Sequence, residues 1–183
     1  MAPDPAAQTE TRLVFHVARS ADVERLRREG FSSAGTIQAW AAGVYLATDR
    51  QTAELYERLE LGRERLPVLA TVESPFLVEV PAGEYDAIEV MHRAIAEAYG
   101  EAAAAPISRE ELRRERRALA DVVTSILREH GHDALEVAMG PVSPDDQRSV
   151  TVGGNQLVVF DPERVALADF DLPAPAAGAE IGW

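Results

Sequence analysis

Between Gly43 and Tyr56 the chain changes from strand chemistry to helix chemistry within three residues, so any fold must set a strand end and a helix start at one corner. Val44-Tyr45-Leu46-Ala47 is a short apolar run of the kind that forms a buried strand, with a glycine before it. Asp49 can cap the helix that follows, in which Leu55 and Leu59 share a face. Tyr45 in the strand and Tyr56 in the helix can both turn towards one cleft. Two phenols so placed can sandwich a flat heteroaromatic ring, each aromatic pair adding ~0.5–1.5 kcal/mol beyond area burial. The same spacing also suits two tyrosines packed in a core.

The 183 residues, 46% of them apolar, suit one domain with a substantial core. A formal charge of −13 disfavours a sequence-independent grip on nucleic acid, which needs a basic surface against phosphates. All 18 basic residues are arginine, which excludes a lysine Schiff base and a P-loop lysine. The lack of cysteine excludes disulfides, thiol nucleophiles and thiolate metal sites. His92, His130 and His132 do not form a metal-ligand spacing with acidic neighbours, so no metal is expected. The first eleven residues have neither a basic start nor an apolar run, and no window approaches the roughly 18 apolar residues of a membrane span. A soluble, cytoplasmic protein is expected, and export without a cleavable signal is compatible with that.

In chain order, loose Pro/Ala/Gly-rich ends over 1–11 and 172–183 are expected to flank a single domain over 12–171. Strands are expected at 13–17, 44–47, 67–72, 75–80, 134–139 and 155–160, with a short edge strand at 165–167. A helix over 20–29 would be capped by Ser20 and stopped by Gly30. A second helix over 85–99 gathers Ile88, Met91, Ile95 and Ala98 on one face. Ser108 and Glu111 form a capping box ahead of the longest helix, 109–130. Gly153-Gly154 suits a hairpin better than a phosphate loop, because no helix follows it. Strand blocks around interposed helices give an α+β class, with a mostly antiparallel and strongly bent sheet.

Three blocks then carry a resemblance. The 43–56 corner resembles the second conserved block of the ADP-ribosyltransferases, in the branch of the poly(ADP-ribose) polymerases and diphtheria toxin. There a strand like Gly-Val-Tyr-Leu-Ala precedes a helix with a second tyrosine, and the family signature is His-Tyr-Glu on three separated strands. His16 is similar to the first member: a strand histidine, a turn, then a helix reaching Gly30-Phe31. The usual His-Gly is here His16-Val17. The run from Asn155 through Phe160-Asp161-Pro162 resembles the third block, with Gln156 where the catalytic glutamate stands. The approach through His132 and Asp133 is similar to transferase-like domains of bacterial polymorphic toxins and phage proteins. The resemblance covers about residues 12–167.

The resemblance implies a bent, split, mostly antiparallel sheet with flanking helices, and NAD as a substrate in a cleft walled by His16, Tyr45, Tyr56 and Gln156. In the family the histidine contacts the adenine-side ribose. Val17 keeps the backbone groups that meet the nicotinamide amide, and Arg19 is placed to meet a pyrophosphate bidentately. The catalytic carboxylate accepts a hydrogen bond from the nicotinamide ribose and stabilises its developing positive charge. Glutamine accepts that bond without the charge, and losing such a partner costs roughly 10²–10³-fold in rate. Three outcomes follow. Gln156 leaves a weak mono-ADP-ribosyltransferase or NAD glycohydrolase of toxin or effector type. Or Glu136, Asp145 or Asp146 replaces the carboxylate. Or the fold is a pseudo-enzyme that binds NAD or a protein without turnover. An RNA 2′-phosphotransferase-like enzyme is a lesser alternative, since Tyr45 stands where its second histidine would be. The implied partners are an acceptor, protein rather than nucleic acid, and for a toxin a neutralising protein. The 141–154 loop would face the acceptor.

Overall fold

The computed structural model describes residues 9–32, 40–59, 62–84, 86–108, 115–143 and 145–168. The 172–183 end, most of the first eleven residues, most of the loop before the corner and Glu111 of the capping box lie outside the described residues. Strand β1 is Glu10–Arg19, so it takes in two residues expected to be loose. The other strands are β2 Val44–Ala47, β3 Arg63–Val72, β4 Pro75–Glu79, β5 Ala134–Ala138, β6 Gln156–Val159 and β7 Val165–Leu167. Helices are α1 Ser20–Glu29, α2 Arg50–Leu59, α3 Ala87–Tyr99, α4 Glu101–Ala104, α5 Arg116–Glu129 and α6 Gln147–Val152. The class is α+β: one seven-stranded sheet in the order β4-β5-β6-β2-β1-β3-β7, antiparallel except for β4 beside β5.

The sheet must bend. β3 and β4 lie five strand spacings apart, about 24 Å in a flat sheet. Only Glu73 and Ser74 join them, a step that spans at most about 11 Å. The two oxygens of Asp133 accept the backbone N–H groups of Glu73 and Ser74 at 2.8 and 2.9 Å, and Arg164 adds a 2.6 Å bond to the same carboxylate. Across the bend, Arg12 on β1 meets Glu136 on β5 at 2.7 Å, although two strands separate them in the sheet.

Two cores result. α3 and α5 cover one face of β4, β5 and β6, burying Met91, Ile95, Leu127, Leu135, Val137 and Val158. The second core is built from strands alone, with Val14, Leu46, Val68, Val72, Leu157 and Val159 from both arms of the bent sheet. The corner forms as its sequence dictates, with Asp49 Oδ1 accepting the N–H of Thr52 at 2.7 Å as helix cap. Gly43 is obligatory there, because a Cβ would lie 2.5 Å from the carbonyl oxygen of Val159. Ser20 does not cap α1. It is the first helical residue, its hydroxyl donating to Gly62, while Arg19 holds the cap position without a side-chain hydrogen bond.

Candidate functional site

The three predicted strands are neighbours, β6, β2 and β1. β2 pairs with β6 over its whole length, setting Tyr45 opposite Val158 and Ala47 opposite Gln156. β1 meets β2 at one pair only, Phe15 with Ala47, and then the strands part. At that fork the imidazole Nδ1 of His16 lies 3.1 Å from the carbonyl oxygen of Tyr45, so the ring N–H takes an acceptor that a continuing ladder would give to a backbone N–H. Phe31 packs edge-on against the ring.

Strand alternation separates what the sequence joined. Paired residues share a face, so Phe15, Tyr45, Ala47 and Gln156 lie on one side of the sheet and Val14, His16, Leu46 and Leu157 on the other. The expected single hollow walled by His16, Tyr45, Tyr56 and Gln156 is corrected accordingly. Tyr45, Tyr56 and Gln156 gather on one face, while His16 touches them through the Tyr45 carbonyl. Val17 follows on the Tyr45 side, half-buried, and Arg19 ends the strand on that same side.

The gathering point is Gly153. A Cβ there would lie 2.4 Å from the Gln156 amide nitrogen and 2.6 Å from the Tyr56 hydroxyl, so both polar ends rest on bare backbone. Gln156 is 2% exposed, and its amide donates to the carbonyl of Val152 at 3.1 Å. The indole of Trp40 donates to that carbonyl as well, at 3.3 Å. The Tyr45 hydroxyl accepts the N–H groups of Trp40 and Ala41 at 2.9 and 3.1 Å and donates to the Ala41 carbonyl at 2.8 Å. That oxygen is therefore used in holding residues 40 and 41. Burial pushes the Tyr56 hydroxyl well above its usual range, Tyr45 adds to the effect and Arg63 opposes it. Burial also lowers the proton affinity of His16, against the Tyr45 carbonyl and with Arg63, so the ring is neutral at pH 7.

None of the substitute carboxylates stands at Gln156. Glu136 pairs with Leu157, which puts it on the opposite face, where Arg12 takes it. Asp145 is exposed, and Asp146 caps α6 by accepting from Ser149 N and Oγ at 3.3 and 3.1 Å. Gly153-Gly154 does not make a tight hairpin. Gly153 closes α6, its N–H on the Ser149 carbonyl at 2.9 Å, so the loop expected to face an acceptor contains a helix.

The residue that sequence reasoning missed is Asn155. Its amide donates to Asp49 at 2.7 Å and to the Gly140 carbonyl at 2.9 Å, and its Oδ1 accepts the N–H of Met139 at 2.7 Å. Its own N–H donates to Thr52 Oγ1 at 2.9 Å. One side chain thus pins the corner helix, the end of β5 and the start of β6. The available signal was an asparagine immediately before Gln156 at the start of the strand. Elsewhere, His132 accepts from the Tyr99 hydroxyl and donates to the Ser74 carbonyl at 2.9 Å, and His130 stacks on Tyr99. Among the described residues no group of three metal-ligating side chains converges.

Fold and site together define an α+β protein with a seven-stranded, mostly antiparallel mixed sheet and, at its middle, a buried glutamine amide flanked by two half-buried phenols. No protein-family model, curated protein or solved structure matches the chain. Among the described residues no helix is long and apolar enough to cross a membrane.

Proposed function

We propose that the protein is an NAD-binding, ADP-ribosyltransferase-like domain of the mono-ADP-ribosylating toxin or effector type, with transfer slowed by Gln156. One observation carries the reading. The three family-like blocks lie on adjacent strands, with Tyr56 and Gln156 meeting at Gly153, Tyr45 on the same face of the sheet as Gln156, and His16 bonded to the Tyr45 backbone. The phenol rings supply stacking faces even though the Tyr45 hydroxyl is occupied. Gln156 offers its amide oxygen to a ribose hydroxyl but no charge to a cationic sugar. Turnover roughly 10²–10³-fold below that of a carboxylate is expected.

The test is calorimetry with NAD, followed by nicotinamide release from wild type and Gln156→Glu. NAD binding with faster release by the glutamate variant is the expected result, with its melting temperature lowered because a carboxylate cannot donate to the Val152 carbonyl. No heat at millimolar NAD would remove the reading. A second reading, a pseudo-enzyme that binds NAD or a protein, is favoured by the 2% exposure of Gln156 and by His16 leaving from the other face. NAD binding with no nicotinamide release from either protein would select it.

A further inference from the structure

β4 is the last strand on its side of the sheet, and among the described residues no strand pairs with the edge it turns away from β5. Val80 donates to the Ala138 carbonyl at 2.8 Å, so by alternation Phe76 and Val78 turn their backbone groups to β5 while Leu77 and Glu79 turn theirs outward. A row of unpaired N–H and C=O groups is a template for another chain, and proteins ordinarily blunt such an edge with charge. Here a leucine stands at its middle. Phe76 and Val78 point into the core under α3, so Leu77 leaves from the opposite face, where it is 55% exposed. On the α3 side a groove of about 540 Å³ runs along the same edge, between Phe76 and Val78 on the strand and Ala94 and Ala98 on the helix. Arg93 and Glu97, four residues apart, are the charged groups that α3 brings to it.

We propose that this edge is a self-association surface, on which β4 pairs antiparallel with β4 of a second copy about a two-fold axis at Leu77 and α3 packs beside its counterpart. A two-fold interface has to be self-complementary, and the edge is so in three respects. In this register Leu77 exchanges N–H···O=C bonds with its counterpart, and Glu79 donates to the Pro75 carbonyl of the other copy, so the N–H that proline lacks is not needed. The two Leu77 side chains then lie about 5 Å apart at Cβ, each covering the other's exposed surface. Ala94 and Ala98 let the two helices approach to about 8–10 Å between axes. The axis also runs the helices antiparallel, so Arg93 of each copy meets Glu97 of the other. Arg93 keeps its 3.1 Å bond to Glu84 and has further N–H groups to give, and Glu97 has no ion-pair partner among the described residues. An unrelated strand could use the open backbone, but the register and the charges fit a second copy.

The experiment is analytical ultracentrifugation of the full chain over a range of concentrations at about 0.15 M salt, where the repulsion between two copies of charge −13 is screened within about 8 Å. A monomer–dimer equilibrium is expected. Leu77→Lys, Arg93→Glu and Glu97→Arg should each weaken it about tenfold or more, because each sets like charges against each other across the axis. Arg27→Glu, on an exposed arginine paired with Glu24, changes the net charge as Arg93→Glu does and should leave the equilibrium unchanged. Mixing separates a lost interface from a lost fold. Arg93→Glu and Glu97→Arg, each weakened alone, should together form a heterodimer of wild-type strength, since every charge then meets its opposite. A dimer that none of the three substitutions weakens would overturn the proposal, as would the failure of the mixed variants to pair. A wild type monomeric at all concentrations would overturn it as well. Slow hydrogen exchange at the Leu77 and Glu79 amides would in that case give the edge to another segment of the same chain, and fast exchange would leave it to a different protein.

Discussion

At the scale of single residues, His16 carries the plainest pH signature. Burial, the main cause, lowers its proton affinity below that of an ordinary histidine, with the Tyr45 carbonyl opposing and Arg63 helping. The unfolded chain therefore binds a proton at a higher pH than the folded one does. Stability is fully present above that unfolded value and falls as pH drops through the window beneath it. Denaturation midpoints should decline from pH 7 towards pH 5, and His16→Asn should flatten that part of the curve. An unchanged slope in the variant would show that the ring is not the group responsible. Residue identity foretold the neutral ring poorly, because a strand histidine says nothing about which face it leaves from. The same holds for Gln156: its place in the Asn-Gln-Leu-Val-Val-Phe run was legible, but not that its amide donates to Val152.

At the scale of elements, the sequence was most informative where chemistry is local. The 43–56 corner, its aspartate cap and the break at Ser74-Pro75 all follow from propensity and turn residues within a few positions. Strand order did not, because β4 beside β5 and β2 between β6 and β1 are set by distant packing that no short window contains. The cap of α1 was misjudged for a related reason: Ser20 is the better capping residue by type, yet its hydroxyl is drawn to the Gly62 carbonyl. Asn155 was passed over because all its partners are remote in sequence or on backbone. Its replacement by alanine should cost about 1–3 kcal/mol for each buried partner left unmet. Urea denaturation would measure this. A loss below about half a kcal/mol would mean that water replaces the amide without penalty.

At the scale of the whole molecule, stability should concentrate in the core made only of strands. Leu157 is fully buried there, between residues from both arms of the sheet. Leu157→Ala should destabilise the fold by about 2–5 kcal/mol and keep a single cooperative transition. Two separated transitions would show that the arms unfold independently. The connection between β3 and β4 has a mechanical meaning beyond topology. Two residues clamped by both oxygens of Asp133 act as a tether of fixed length, holding the arms at one tilt. Swinging the arms apart on that side would first have to break both of those hydrogen bonds, so the sheet is stitched shut along that margin.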